Sequence, residues 1–267
     1  MSRDSIKAVA ALLRGFDNYA IAVSGGVDSL TLATIAGRHA GPFTAFHAVS
    51  PAVPSEATER VERMAIQEGW TLSIIDAAEF DRSEYVSNPV NRCFFCKQSL
   101  YSTIAAAFVG QVFSGTNRDD LQEYRPGLVA AREKRVRHPF AELGISKATI
   151  RDMARTLGLG ALSELPASPC LSSRVESGIT ITAPLLASIH RAEVAVRKLT
   201  GAKVVRCRFR REAIVIELDD SELAGLEDAD RQIILRIVQE TFTPSRLPVR
   251  FAAYRVGSAF LLPETQS

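Results

Sequence analysis

The chain contains no run of about 18 consecutive apolar residues, so no segment of it is predicted to cross a bilayer as a helix. Its start, Met1-Ser2-Arg3-Asp4, is not followed by the apolar core of a secretory leader. Together these absences lead to the expectation of a cytoplasmic protein with no membrane partner. An excess of one charge is missing too, because 32 basic residues stand against 30 acidic ones, a net +2. That balance argues against a nucleic-acid binder working through bulk electrostatics, while leaving room for a local basic patch. Cysteine is sparse, with Cys93, Cys96, Cys170 and Cys207 as the full set. In a cytoplasmic chain these are expected to stay reduced or bind metal rather than form a disulfide framework. The GxxxxGK[ST] phosphate loop and its lysine are also missing, which excludes the nucleotide chemistry built on that motif.

What the chain does have is Ser24-Gly25-Gly26-Val27-Asp28-Ser29. The apolar, partly β-branched Tyr19-Ala20-Ile21-Ala22-Val23 before it is predicted as a buried strand. Leu30, Leu32, Ala33, Ile35 and Ala36 after it fit a buried helix, closed by Gly37. A strand that turns through two glycines into a helix leaves backbone N–H groups aimed at one point, where the helix dipole adds partial positive charge. Glycine lets an anion's oxygens approach closely, and the Ser24 and Ser29 hydroxyls add donors at the rim. The bland alternative is a Gly-Gly turn between any strand and helix.

At 267 residues the chain suits one large or two modest domains with ample core. Ile6, Val9, Ala10 and Leu13 predict a leading amphipathic helix. Short apolar runs at Phe43–Val49, Thr71–Ile75 and Gln111–Ser114 alternate with helical patterns at Ser55–Gly69 and Leu100–Phe108. That alternation predicts an α/β fold with a doubly wound parallel sheet. His47 falls near the end of its strand, where ligands bind in such sheets. It reads either as a structural histidine or, through the strand's backbone, as part of an adenine contact. Gly115 and Thr116, at another strand end, would let backbone approach a ligand. Asp119 and Asp120 could hold Mg²⁺ or cap the next helix. Ser146 to Leu157 reads as a core helix, with Ser146 as N-cap and Gly158 as stop.

Two cysteine-bearing stretches stand out. Cys93 and Cys96, in Asn91-Arg92-Cys93-Phe94-Phe95-Cys96-Lys97, can face one metal or iron-sulfur centre, form a redox pair, or simply be buried. Cys170 lies in Pro166-Ala167-Ser168-Pro169-Cys170-Leu171-Ser172-Ser173-Arg174, where the prolines and serines predict an irregular loop and Arg174 is close enough in sequence to favour a thiolate. Beyond a helix from Pro184 to Leu199, Lys203 to Arg210 alternates strictly, with Val205, Cys207 and Phe209 on one face and Arg206, Arg208 and Arg210 on the other. Cys207 is thereby predicted to face the core. The arginines are either a solvated strand edge or a phosphate clamp. A hairpin partner at Ala213–Leu218, a helix at Asp228–Glu240 with Ile233, Ile234, Ile237 and Val238 inward, and a strand at Leu247–Tyr254 complete a smaller C-terminal α+β domain. The expected division is 1–182 and 183–267, with the boundary near Thr182.

The SGGVDS stretch resembles the loop of the PP-loop ATP pyrophosphatase superfamily, the adenine nucleotide alpha hydrolase-like fold. Taken with Arg92–Lys97, Ser114–Asn117, Asp119-Asp120, Tyr124-Arg125-Pro126-Gly127, Pro169–Arg174 and Tyr254-Arg255-Val256-Gly257-Ser258, it is similar in order and spacing to the LarE family. The resemblance implies an ATP-dependent sulfur transferase that adenylates a carboxylate of pyridinium-3,5-biscarboxylic acid mononucleotide and converts it to a thiocarboxylate, in building the nickel-pincer nucleotide cofactor of lactate racemase. It implies ATP at Ser24, Gly25, Gly26, Val27, Asp28 and Ser29, with His47, Gly115, Thr116 and Arg174 nearby. Phosphate falls to Arg206 and Arg208, and Mg²⁺ to Asp28, Asp119 and Glu193. The partners implied are the small pyridinium mononucleotide, no nucleic acid, and other copies of the chain in a homo-oligomer such as a hexamer.

The family offers two sulfur sources. Cys170 can give up its own sulfur, or Cys93, Cys96 and Cys170 can hold a [4Fe-4S] cluster that carries an extra sulfide. All three cysteines are present, which favours the cluster. The chain departs from the family after Arg174, where Val175-Glu176-Ser177-Gly178 replaces a Pro-Tyr-Gly-like turn. Other readings are a tRNA-thiolating relative, an ATP-dependent amide synthase, and a non-enzymatic nucleotide-binding redox sensor.

Overall fold

A computed structural model of the chain describes residues 2–122, 125–167 and 169–255. Tyr124, Ser168 and Val256-Gly257-Ser258, quoted in the motifs above, lie outside the described residues. The chain divides into two compact units, one of Met1–Arg82 with Asn91–Ser168, the other of Ser83–Val90 with Pro169–Ser267. This division falls ahead of Thr182, which serves as N-cap of the following helix, its side chain accepting from the Leu185 N–H.

The first unit runs α1 (Ser2–Arg14), β1 (Tyr19–Ala22), α2 (Val27–His39), β2 (Thr44–Val49), α3 (Ser55–Glu68) and β3 (Thr71–Asp76). The chain then leaves it for α4 (Ser83–Val86) and returns with α5 (Arg92–Ala107), β4 (Gln111–Ser114), α6 (Gly127–Glu133), α7 (Pro139–Glu142) and α8 (Lys147–Thr156). Its strands form a four-stranded sheet in the order β3-β2-β1-β4. Every pairing is parallel.

Period-two alternation explains why both faces are covered. Tyr19, Ile21 and Val23 join one core with α1, α2, α3 and α8 residues such as Leu13, Leu32, Met64 and Met153. Ala20, Phe46 and Val112 face the other way, onto Leu100, Tyr101 and Ile104 of α5. The sheet is therefore doubly wound, as its strand and helix alternation predicts.

Helix α2 does not stop at Gly37 but continues to His39. Gly37 is a packing residue, since a Cβ there would sit 2.9 Å from Trp70 Nε1. Helix α3 ends as expected, with Gly69 in the left-handed region at φ 68°.

The second unit joins α4 to α9 (Ala183–Thr200), β5 (Val205–Phe209), β6 (Ile214–Leu218), α10 (Asp220–Gly225), α11 (Asp228–Thr241) and β7 (Val249–Ala253). Its sheet order is β5-β6-β7, with β5 antiparallel and β7 parallel to β6. On α11, Ile234 and Val238 are buried, whereas Ile233 points outward at 44% exposure. One residue step rotates a helical side chain by about 100°, which takes Ile233 off the buried stripe. Among the described residues no helix is long and apolar enough to cross a membrane.

Candidate functional site

In an open parallel sheet, ligands bind beyond the carboxyl ends of the strands where the strand order reverses. Here that point lies between β1 and β4. The Ser24–Ser29 turn leaves β1 there and opens α2. The cap residue, Gly26, gives α2 no side-chain cap, so the helix start keeps amide donors for an incoming anion. The serines brace the turn instead. Ser29 Oγ accepts from the Ser24 N–H at 3.1 Å and donates to Gly26 O at 3.2 Å, and the two hydroxyl oxygens lie 3.2 Å apart.

Two glycines are obligatory for packing. Gly25 has φ +79°, and a Cβ on it would meet the Ala57 carbonyl oxygen at 2.6 Å. A Cβ on Gly115 would meet the Ser29 nitrogen at 2.7 Å and the Asp28 carbonyl carbon at 2.9 Å. The close approach that Gly115 permits is thus to the backbone of α2 itself, and it locks the loop after β4 against the start of that helix. The Gly25 carbonyl is held by Arg60 Nη1 at 2.7 Å.

The acidic residues converge here. Asp28 takes Lys147 Nζ at 2.7 Å on each of its oxygens and Asn117 Nδ2 at 3.5 Å. Burial pushes the Asp28 carboxyl up from its ordinary value, and Lys147 opposes that shift. Asp119 accepts from the Lys147 backbone N–H at 2.9 Å, and Asp120 from the Asn117 N–H at 3.0 Å. Asp120 is further paired with Arg125 at 2.8 Å. Ser146 caps α8 by accepting from the Thr149 N–H, as expected.

Lys147 is the member of this cluster that the sequence reading did not single out, having assigned its helix to the core. A signal existed, because a lysine in the first turn of a helix sits at the positive end of the dipole, where only a nearby anion rewards it.

His47 is buried between Val23 O, 2.8 Å from Nδ1, and Thr58 Oγ1, 2.9 Å from Nε2. The carbonyl fixes the proton on Nδ1, and Nε2 then accepts from the hydroxyl. Burial holds its pKa below the ordinary value. His47 therefore ties the end of β1 to α3 as a neutral imidazole. Thr116 lies 3.2 Å from Ser114 Oγ, which in turn lies 2.8 Å from His138 Nδ1.

Cys93 and Cys96 occupy successive turns at the start of α5, each partly buried. Their i, i+3 spacing puts both on one helix face. A Cβ on Gly127 would lie 2.9 Å from Lys97 Cγ and 3.5 Å from the Cys93 carbonyl oxygen, so α6 starts close against the first turns of α5.

Cys170 belongs to the second unit and precedes a 3-10 turn at Leu171–Arg174, not a wholly irregular loop. Arg174 does not reach for the thiol. Its Nη1 donates to Pro169 O at 2.6 Å, Cys170 O at 3.1 Å and Ser173 Oγ at 2.9 Å. Its Nε and Nη2 fork onto Glu193 at 2.9 and 3.3 Å. Glu193 also accepts from the Cys207 N–H at 3.0 Å.

The arginine face of β5 is not a solvated edge, since Arg206 and Arg208 are 3% and 4% exposed. Arg208 pairs with Glu217 at 2.9 Å and donates to Ser173 O at 2.9 Å. Arg206 lies 5.5 Å from the Tyr254 ring centroid and donates to Val205 O. Burial and then the charge of Arg174 lower its pKa. Cys207 is fully buried, and burial pushes its thiol pKa well up.

The divergent Val175–Gly178 stretch is pinned within this unit. The Glu176 N–H donates to Phe209 O at 2.9 Å and the Gly178 N–H to Asn88 O at 2.8 Å. Among the described residues no group of three or more His, Cys, Asp or Glu side chains is gathered as a metal site.

The fold and turn define a doubly wound α/β protein with an anion-ready helix start at its switch point, carrying a smaller mixed-sheet unit. No protein-family model matches the chain. The chain is 39% identical over 215 residues to the uncharacterized protein slr1717 of Synechocystis, spanning 78% of each, and it belongs to that protein's family. It is similar at 29% identity over 232 residues to the uncharacterized protein MJ0830 of Methanocaldococcus jannaschii, 80% of this chain and 82% of that one. It is also 28% identical over 221 residues to the pyridinium-3,5-bisthiocarboxylic acid mononucleotide synthase of Lactiplantibacillus plantarum, 80% of this chain and 79% of that one.

Proposed function

We propose that this protein is an ATP-dependent sulfur transferase that adenylates a carboxylate of pyridinium-3,5-biscarboxylic acid mononucleotide and replaces its activated oxygen with sulfur. The observation that carries the reading is the glycine turn opening α2 at the sheet's switch point, in a chain 28% identical to a synthase of the corresponding bisthiocarboxylic acid. The substrate carboxylate oxygen attacks the α-phosphorus of ATP, and pyrophosphate leaves. The α2 amides and the exposed Ser24 hydroxyl hold the departing charge, on a turn that Ser29 braces. Sulfur then attacks the acyl carbon of the adenylate, and AMP leaves.

Mg²⁺ supplies charge neutralisation on the phosphates. Asp28 and Asp119 are the oxygen donors that would hold it. Asp28 fits, because it already balances a cation, with Lys147 Nζ 2.7 Å from both oxygens. Glu193, whose oxygens hold Arg174 and the Cys207 N–H, acts instead to position Arg174 and the β5 backbone that carries Arg206 and Arg208.

For the sulfur, Cys93 and Cys96 supply two thiols on one helix face and Cys170 a third. A [4Fe-4S] cluster on them would present an open iron for sulfide. The second reading is that Cys170 donates its own sulfur. Its Cβ–S bond then breaks with loss of the α-proton, leaving dehydroalanine. By the same resemblance the protein works as a homo-oligomer.

Anaerobically prepared protein incubated with MgATP and the biscarboxylic mononucleotide should yield AMP, pyrophosphate and a product in which sulfur replaces one oxygen. Iron bound with Cys170 intact supports the cluster; Cys170 converted to dehydroalanine supports sacrifice. Absence of substrate-dependent AMP formation refutes the proposal.

A further inference from the structure

We propose that Lys147 is an exchangeable counter-ion for this site: its ammonium holds Asp28 while no divalent cation is bound, and is displaced onto the pyrophosphate when metal and nucleotide arrive. This inference rests on the function proposed above and extends it to a residue that the SGGVDS stretch does not contain.

The geometry is specific. Lys147 Nζ lies 2.7 Å from both Asp28 oxygens, so it occupies the bidentate position a cation would take. Asp28 is in the first turn of α2 and Lys147 in the first turn of α8, so the ammonium is delivered to the helix start that would cradle phosphate. The lysine backbone is fixed independently, because its N–H donates to Asp119 at 2.9 Å and Ser146 caps its helix. Its side chain can therefore change partner without moving α8.

The charges around the pair are Asp28, Asp119 and Asp120 on one side and Lys147, Arg118 and Arg125 on the other, with Arg118 already committed to Asp119 and Arg125 to Asp120. A partly buried carboxylate is costly to keep charged without a compensating cation. Lys147 provides one in the metal-free protein. It also repels a bare divalent ion, which shares its sign and its oxygens. A metal–pyrophosphate unit removes that conflict, since it brings the anion that the freed ammonium can bind. The consequence is ordered binding, with free metal excluded and metal–nucleotide admitted.

Two measurements test this. In the first, Mn²⁺ affinity is followed by electron paramagnetic resonance, and MgATP and pyrophosphate affinity by calorimetry, in wild type, K147M and K147R. K147M should bind free Mn²⁺ about tenfold or more tightly and Mg-pyrophosphate about tenfold or more weakly, with K147R near wild type. In the second, amine labelling of the wild-type protein is read by mass spectrometry at Lys147. The rate should rise with saturating Mn²⁺ alone and fall with Mg-pyrophosphate. Because this uses unaltered protein, poor folding of K147M would not remove the test. Free-Mn²⁺ affinity unchanged or lower in folded K147M, or labelling of Lys147 insensitive to both additions, overturns the inference. Failure of the wild type to bind adenine nucleotide or pyrophosphate at all overturns the functional reading instead.

Discussion

Glu193→Ala is expected to destabilise the second unit by about 3–5 kcal/mol, even with all metal chelated. Glu193 accepts three hydrogen bonds, from Arg174 Nε at 2.9 Å, Arg174 Nη2 at 3.3 Å and the Cys207 N–H at 3.0 Å. Its partner guanidinium is 1% exposed. Removing the carboxylate leaves Arg174 charged, buried and held only by Pro169 O, Cys170 O and Ser173 Oγ through Nη1. It also strands a β5 amide, which alone costs about 1–3 kcal/mol. Replacing both members with apolar residues of similar volume should recover most of the loss, because the pair's attraction mainly offsets its own desolvation. The assay is urea unfolding by circular dichroism in EDTA for E193A, R174M and R174M/E193L, with hydrogen exchange localising the change to α9, β5 and β6. A loss below about 0.5 kcal/mol in E193A, or a double variant no more stable than E193A, would refute the buried-pair reasoning. It would leave Glu193 as a residue needed only when metal is present.

Gly115→Ala should cost about 1–3 kcal/mol and lower MgATP affinity by about tenfold in calorimetry, since the new methyl meets the α2 backbone at 2.7 Å and cannot be absorbed by a rotamer change. His47 and His138 are both held below the ordinary 6.5 by burial. Their contribution to stability is complete above pH 6.5 and is lost as pH falls through the depressed folded values; H47Q should flatten that acid limb in thermal melts. Cys207, fully buried with its thiol pKa raised, should resist iodoacetamide in the native protein, while Cys93, Cys96 and Cys170, each partly exposed, are alkylated.

Local patterns carried the element plan. Ile6, Val9, Ala10 and Leu13 are the buried stripe of α1, Ser146 caps α8, and Gly69 ends α3, each through an interaction within a few residues of chain. Where the reading failed, a distant neighbour was responsible. Gly37 looked like a helix stop because a glycine is a poor helix former, yet it is there to admit Trp70, far along the chain. The β5 arginines stayed open between a solvated edge and a phosphate clamp, because alternation reports two faces and not what covers each. Glu217 covers Arg208 across nine residues and the Tyr254 ring lies over Arg206, while Glu193 takes Arg174 and the Cys207 N–H.

The sequence by itself determined that a strand turns through Gly25 and Gly26 into a helix, that the sheet is parallel, and that Cys207 faces inward, because these follow from periodicity and from what glycine's backbone permits. Only the tertiary structure decided that Lys147 stands on Asp28, that Gly115 yields its space to α2, and that Arg174 belongs to Glu193. Each of those joins residues with no shared period or spacing, and a buried charge finds its partner by proximity in the folded chain rather than along it.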